Sequence, residues 1–162
     1  MIKKFLLNLA LKTIYARIPD FVIGGHESPY MLRWWMIPRN KFFNIYIHMF
    51  LRDDDDRALH DHPWASLSLL CRGTLLEHYQ DPELKGLSTR HIAPGQWVYR
   101  PAAFAHRLSI PAQNYTPVTI FITGPRFREW GFHCAQGWKH WKDFCGIGDK
   151  GTVGAGCGET DL

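Results

Sequence analysis

The stretch His60-Asp61-His62-Pro63-Trp64-Ala65-Ser66-Leu67-Ser68-Leu69-Leu70-Cys71-Arg72-Gly73 decides how the chain reads. Successive side chains of an extended strand point to opposite faces, so residues two apart share one face. His60 and His62 then project two imidazoles side by side, which is a metal-ligand spacing. Trp64, Ser66, Ser68 and Leu70 follow on the same parity, so a cavity facing this strand is polar at one end and apolar at the other. Two histidines do not complete a site, and a third ligand has to come from elsewhere in the chain.

Upstream, residues 43–51 alternate Phe43, Ile45, Ile47, Met49 and Leu51 with Asn44, Tyr46, His48 and Phe50. A period of two with both faces largely apolar or aromatic marks a strand covered on both sides. Further strands are expected over 31–37, 64–71, 74–79, 96–100, 104–110, 117–123 and 127–134, bounded by Gly and Pro from Gly73 to Pro125. Short strands at that spacing indicate a sandwich, jelly roll or barrel. Arg128 and Glu129, in the last of them, read as a structural ion pair.

The first residues carry Lys4, Asn8 and Lys12 as a polar stripe, with Ile2, Phe5, Leu6, Leu9 and Thr13 on the other side. That period describes an amphipathic helix rather than a secretion signal, because Asn8 and Lys12 interrupt the apolar run. Asp53 to Asp56, flanked by Arg52 and Arg57, read as a solvated loop, since adjacent carboxylates converge poorly on one cation. Beyond Phe144, glycines from Gly146 to Gly158 suggest a flexible tail.

The 162 residues correspond to one domain. With 46% hydrophobic and 21% charged residues, neither disorder nor a fibrous structure fits. The net charge of +4 is modest and the basic residues are scattered, so nucleic acid is not an expected partner. No apolar run reaches the roughly 18 to 20 residues that span a bilayer. Cys71, Cys134, Cys145 and Cys157 are too few and too unevenly placed for a disulfide scaffold, which points to a reducing cytoplasm. Cys134 and Cys145 lie near His133 and His140, a conceivable second metal site, although the spacing matches no zinc pattern. The simpler expectation is buried thiols and an exposed Cys157 in the tail.

A second segment, with Gly95, Pro101, Ala103, His106 and Ile110, follows the first. Together the two resemble the motifs of the cupins. The first cupin motif runs Gly, five residues, His-x-His, three or four residues, Glu, six residues, Gly. The second runs Gly, five residues, Pro-x-Gly, two residues, His, three residues, Asn. His60 and His62 match the pair and Gly73 the closing glycine, while Ser66 stands at the Glu position and Asp54 at the first glycine. Gly95, Pro101 and His106 match the second motif, with Ala103 for Gly and Ile110 for Asn.

The resemblance implies an all-β double-stranded β-helix, the cupin or jelly-roll barrel, over residues 31–135. An N-terminal helical arm (1–30) precedes it, and a C-terminal segment with a Gly-rich tail (136–162) follows. It implies a divalent metal held by His60, His62 and His106, the three-histidine variant seen in thiol dioxygenases and a few other oxygenases. Iron(II) is expected first, with nickel, manganese, cobalt or zinc also suited to nitrogen ligands. Three neutral imidazoles leave the charge of a divalent ion unneutralised, which favours an anionic substrate or a deprotonated thiol, enol or water. Arg33, Trp35, Trp64, Ser66 and Arg100 are the expected substrate contacts, with Arg107 nearby, and His48 or Tyr46 the acid/base group.

The function this implies is a metal-dependent oxygenase or dioxygenase acting on a small thiol or anionic metabolite. One alternative is a non-catalytic ligand-binding or structural cupin module of the kind found in bacterial and prophage genomes. Another is a metal-free sugar isomerase or epimerase, which needs a His–Asp pair that His60 and Asp61 have the wrong parity to form. Cupins commonly pair through barrel edges, so a homodimer is expected.

Overall fold

In chain order the computed structural model has α1 (Ile2–Ala16), β1 (Phe21–Ile23), β2 (Met31–Trp35), β3 (Asn44–Phe50), β4 (Leu59–His60), β5 (Ser66–Arg72), β6 (Leu75–Gln80), β7 (Leu87–Ile92), β8 (Trp97–Arg100), β9 (His106–Ser109), β10 (Val118–Thr123), β11 (Gly131–Cys134), β12 (Gly137–His140) and α2 (Trp141–Cys145). It describes residues 2–25, 27–54, 58–81, 83–84, 86–111, 115–145 and 154–158. Two six-stranded antiparallel sheets form, in the orders β1-β2-β3-β10-β5-β8 and β12-β11-β4-β9-β6-β7. The non-consecutive neighbours in both sheets are the mark of the double-stranded β-helix.

Ladder register sorts the side chains, because cross-strand partners share a face. Arg33 pairs with His48 and His48 with Thr119. Tyr46 pairs with Phe121 and Phe121 with Ser68. Thr123 pairs with Ser66 and Ser66 with Arg100. This face looks toward the second sheet: its apolar end, Met31, Phe50, Leu70 and Val98, packs on Leu75 and Ile92. The opposite face carries Trp34, Ile47, Leu69 and Ile120, and α1 covers it with Leu6, Ala10 and Ile14. Both faces of β3 are therefore buried, as its double alternation requires.

The helix expectation needs one correction. Lys4, Asn8 and Lys12 are exposed as read, but the buried seam is Leu6, Ala10 and Ile14, while Ile2, Phe5 and Leu9 face outward. The seam is set by Ala10, fully covered, which lets the helix backbone approach the sheet closely.

Gly73 closes the turn between β5 and β6 with φ +74°, and a Cβ there would stand 2.4 Å from the Tyr115 carbonyl oxygen. Only glycine meets both demands. The histidine pair does not lie in one strand: β4 ends at His60, and His62 sits in the irregular segment leading to β5. The Pro63 ring lacks the N–H a continued ladder needs there.

The C-terminal expectations change more. β12 pairs with β11 and extends the second sheet, and Cys134 is joined to Cys157 by a disulfide. Residues 154–158 lie against α2, with the Gly154 and Gly156 N–H groups donating to the Phe144 carbonyl. Cys157 is thus tethered rather than an exposed thiol. Disulfides are rare in reducing compartments, so the ground for expecting the cytoplasm is removed. Among the described residues, no helix is long and apolar enough to cross a membrane. The remaining tail glycines from Gly146 to Gly151, and Asp55 and Asp56 of the acidic run, lie outside the described residues.

Candidate metal centre

His60 comes from β4, His106 from β9 directly opposite it, and His62 from the segment after β4. One ring nitrogen of each lies within 4.8 Å of the other two, and this is the only such group of three among the described residues. The His62 and His106 Nε2 atoms are 2.9 Å apart. Two nitrogens each about 2.1 Å from one ion and at right angles stand roughly 3.0 Å apart, so the pair is already at chelating separation.

Behind the ligands stand carboxylates. His106 Nδ1 lies 2.6 Å from Glu77 Oε1. A carboxylate only accepts, so the imidazole proton sits on Nδ1 and the Nε2 lone pair faces the cluster. His60 Nδ1 faces Asp54 Oδ2 at 3.4 Å. Asp54 is therefore not simply part of a solvated loop. The backbone around His62 is held by its own N–H to the Ala102 carbonyl and by Arg128, whose Nη1 donates to the His62 and Ala102 carbonyls.

Electrostatics keep the cluster neutral. Burial lowers His60 to about 4 despite the opposing Asp61 charge, and lowers His106 to about 3 despite the Glu77 hydrogen bond. His62 falls well below its ordinary value through burial, with His60, His106, Arg100 and Arg33 adding to it. For Glu77, burial alone pushes upward, but the His106 hydrogen bond and the Arg100 charge outweigh it and hold the carboxyl far below its usual range. Three neutral, converging nitrogen donors with carboxylates behind two of them fit a divalent transition-metal ion.

Two facing sheets in double-stranded β-helix order bring the histidines of both motifs together inside the barrel. The chain has the cupin fold. No protein-family model and no curated protein matches it. Among solved structures it is similar to a candidate mannose-6-phosphate isomerase of Ralstonia eutropha, with 17% identity and a TM-score of 0.49 over 65% of this chain and 92% of that one. An RmlC-like cupin of Shewanella frigidimarina gives 15% and 0.48 over 67% and 83%. Iron(II)-bound HppE with an alternative substrate gives 13% and 0.49 over 67% of this chain and 58% of that one, so this chain spans under two thirds of HppE.

The other expected site residues are distributed over two places. Arg33, Trp35, Tyr46, His48 and Ser66 share the inner face of the first sheet. Arg33 Nε donates to His48 Nε2 at 2.9 Å, and its guanidinium lies 4.9 Å from the centre of the Tyr46 ring. Burial, then Arg33, keeps His48 neutral. Trp64 stacks on His62 with centroids 6.4 Å apart. Arg100 is neutralised, donating to Glu77 at 2.5 Å and to Ser68 Oγ at 2.7 Å. Arg107 is on β9, paired with His78, whose ring nitrogens meet Thr89 and Ser109.

Glu77 was legible and unread: it shares the parity of Leu75 and Tyr79, so the strand places a charge on an apolar inward face. Asp61 was read only for its parity with His60; it also collects Arg128 Nη2, the Gly131 N–H, His133 Nε2 and Trp138 Nε1. Arg128 thus pairs with Asp61 rather than Glu129, which pairs with Arg126 and His140. Cys134 is in a disulfide and His133 and His140 face these carboxylates, so among the described residues no second group of three metal ligands forms there.

Proposed function

We infer that the protein is a metal-dependent cupin enzyme, an iron(II)-type oxygenase or dioxygenase acting on a small thiol or anionic metabolite. The observation that carries this reading is the convergence of His60, His62 and His106 with Glu77 fixing the His106 tautomer. A bound divalent ion supplies a Lewis-acidic centre with open positions for substrate and oxygen. The chain supplies the rest. Glu77 orients the His106 imidazole by a hydrogen bond, Asp54 sets a negative charge facing His60, and Arg128 pins the backbone that carries His62. Tyr46 presents a hydroxyl on the inner face as the proton donor or acceptor. His48, held neutral with Nε2 accepting from Arg33, sets the position of that guanidinium.

The metal-free isomerase reading draws on the same Glu77–His106 contact, since a carboxylate behind an imidazole also builds a general base. The proton affinity favours the metal reading: a histidine lowered to about 3 is a weak base near neutrality but an open nitrogen ligand. The reading also includes a homodimer, for which β1 and β8 offer free edges of the first sheet and β7 and β12 of the second.

The test is the metal content of untagged protein, purified and reconstituted anaerobically, beside a His60→Ala, His62→Ala variant, followed by oxygen uptake with thiols and small acids. Near-stoichiometric iron lost in the variant, with metal-dependent uptake, supports the reading. Absence of metal in both folded proteins overturns it.

A further inference from the structure

Among the described residues, no carboxylate meets Arg33. Arg17, Arg90, Arg100, Arg126 and Arg128 each meet a carboxylate: Asp20, Glu77, Glu77, Glu129 and Asp61. Around Arg33, by contrast, the charged and ionisable groups that act on it are Tyr46, Arg39 and Tyr30, none of them acidic side chains. Burial is the main cause lowering it to about 10, so it stays charged at neutral pH. Arg33 is half-buried on the inner face of the barrel, and a partly desolvated cation with no carboxylate beside it is completed when a ligand brings an anion.

The geometry leaves the useful donors open. Nε is engaged by His48, and neither Nη has a hydrogen-bond partner among the described residues. Tyr46 and the neutral His48 hold the plane of the guanidinium by a cation–π contact and a hydrogen bond. On the same inner face, the hydroxyls of Ser66, Thr119 and Thr123 are buried and have no hydrogen-bond partner among the described residues. Arg33 also contributes to lowering His62, so its charge is felt at the histidine cluster.

We propose that Arg33 is the anchor for a carboxylate of the ligand, held by its Nη1 and Nη2 pair, which makes the ligand class a small carboxylic acid. One planar fork matches one planar carboxylate, with two parallel N–H···O bonds. Ser66 and Thr123 are cross-strand partners and Thr119 pairs with His48 on the same face, so these hydroxyls serve as polar lining for the rest of the molecule. The proposal rests on the functional reading above for the identity of the reacting end, but anion binding at Arg33 does not require the metal.

The test follows the Arg33 Nε–H resonance by ¹⁵N NMR in metal-free and zinc-loaded protein during titration with acetate or inorganic phosphate. The expected result is a saturable shift with acetate, at a dissociation constant of about 1 mM, in both forms. Phosphate binds more weakly. Arg33→Lys weakens acetate at least tenfold, and Arg33→Met abolishes binding monitored through the Trp side-chain resonances. No saturable shift in the folded wild-type protein overturns the proposal, as does phosphate binding as tightly as acetate or binding that survives in Arg33→Met. Zinc uptake without an acetate response defeats the anion site alone; an acetate response without zinc uptake defeats the metal reading alone.

Discussion

Glu77 Oε1 lies 2.6 Å from His106 Nδ1 and 2.5 Å from Arg100 Nε, so one fully buried carboxylate oxygen serves both a metal-ligand candidate and a buried cation. Its other oxygen takes Arg90. Replacing Glu77 by Gln keeps the shape but removes the charge that Arg100 needs. Breaking such a pair costs about 3–5 kcal/mol, and losing a carboxylate behind a ligand histidine weakens metal binding about 10–100-fold. Urea unfolding and zinc competition against a chelator check the two effects separately. Wild-type values for both would show that Glu77 neither supports nor orients.

The metal-free cluster also fixes a tautomer. Since His106 carries its proton on Nδ1, the 2.9 Å contact between the two Nε2 atoms requires His62 Nε2–H to donate. An ion bound by both histidines needs that nitrogen bare, so His62 must shift its proton to Nδ1. Imidazole ¹⁵N spectra should show His62 as the Nε2–H form without zinc and the Nδ1–H form with it, while His106 stays Nδ1–H throughout. An unchanged His62 on zinc binding contradicts the assignment of that ligand.

Acid should destabilise the metal-free protein early. His60 and His106 have folded values of about 4 and about 3, below the ordinary 6.5 of the unfolded chain. The unfolded state therefore takes up protons first, and stability present above pH 6.5 is lost as the pH falls toward about 4 and then about 3. A shift of that size at His60 is on the order of 3 kcal/mol. Denaturant midpoints measured from pH 7 to 4 should fall steadily, and fall less in His60→Ala. A flat profile above pH 5 would mean that the imidazoles are not buried neutral.

How far the sequence discloses this molecule depends on which physical signal each part carries. The period of two gave β3, and the Gly and Pro boundaries gave β2, β5, β6 and β8 to β10 close to their observed bounds, whereas the strand expected over 127–134 begins only at Gly131. The exposed β7 has no apolar face to announce it, and β1 and β4 are too short to show a period. The three histidines were readable from two spaced motifs and Glu77 showed as a charge on an inward parity of β6, whereas Asp54 joins them through chain folding across a loop. The Cys134–Cys157 pair lies 23 residues apart with no local pattern to announce it.

That disulfide yields a prediction of its own. It closes a loop whose unfolded-state entropy is worth about 3 kcal/mol, and it pins residues 154–158 beside Phe144 and Cys145. A Cys134→Ser, Cys157→Ser variant should unfold at lower urea and be cleaved first in the C-terminal segment under limited proteolysis. Equal resistance of both proteins would indicate that the segment is held by packing alone.

Asp61 separates the two histidines in sequence and faces away from them, toward β11 and β12. At 1% exposure it accepts from Arg128, the Gly131 N–H, His133 and Trp138, and its own N–H donates to the Gly131 carbonyl. Three of these donors converge on Oδ2. Asn in its place must either turn an NH₂ toward Arg128, His133 and Trp138 or give up the Gly131 contact. Either choice leaves buried donors facing a donor or nothing, a loss of about 3 kcal/mol or more. Because Arg128 also holds the His62 and Ala102 carbonyls, the loosened guanidinium should let His62 drift and lower zinc affinity. Arg128→Met separates the two roles: it removes the clamp on His62 while leaving Asp61 its three other donors. Asp61→Asn should therefore lose more stability than Arg128→Met in urea, and both should weaken zinc binding. Zinc affinity unchanged in both would confine the Asp61 network to holding the second sheet together.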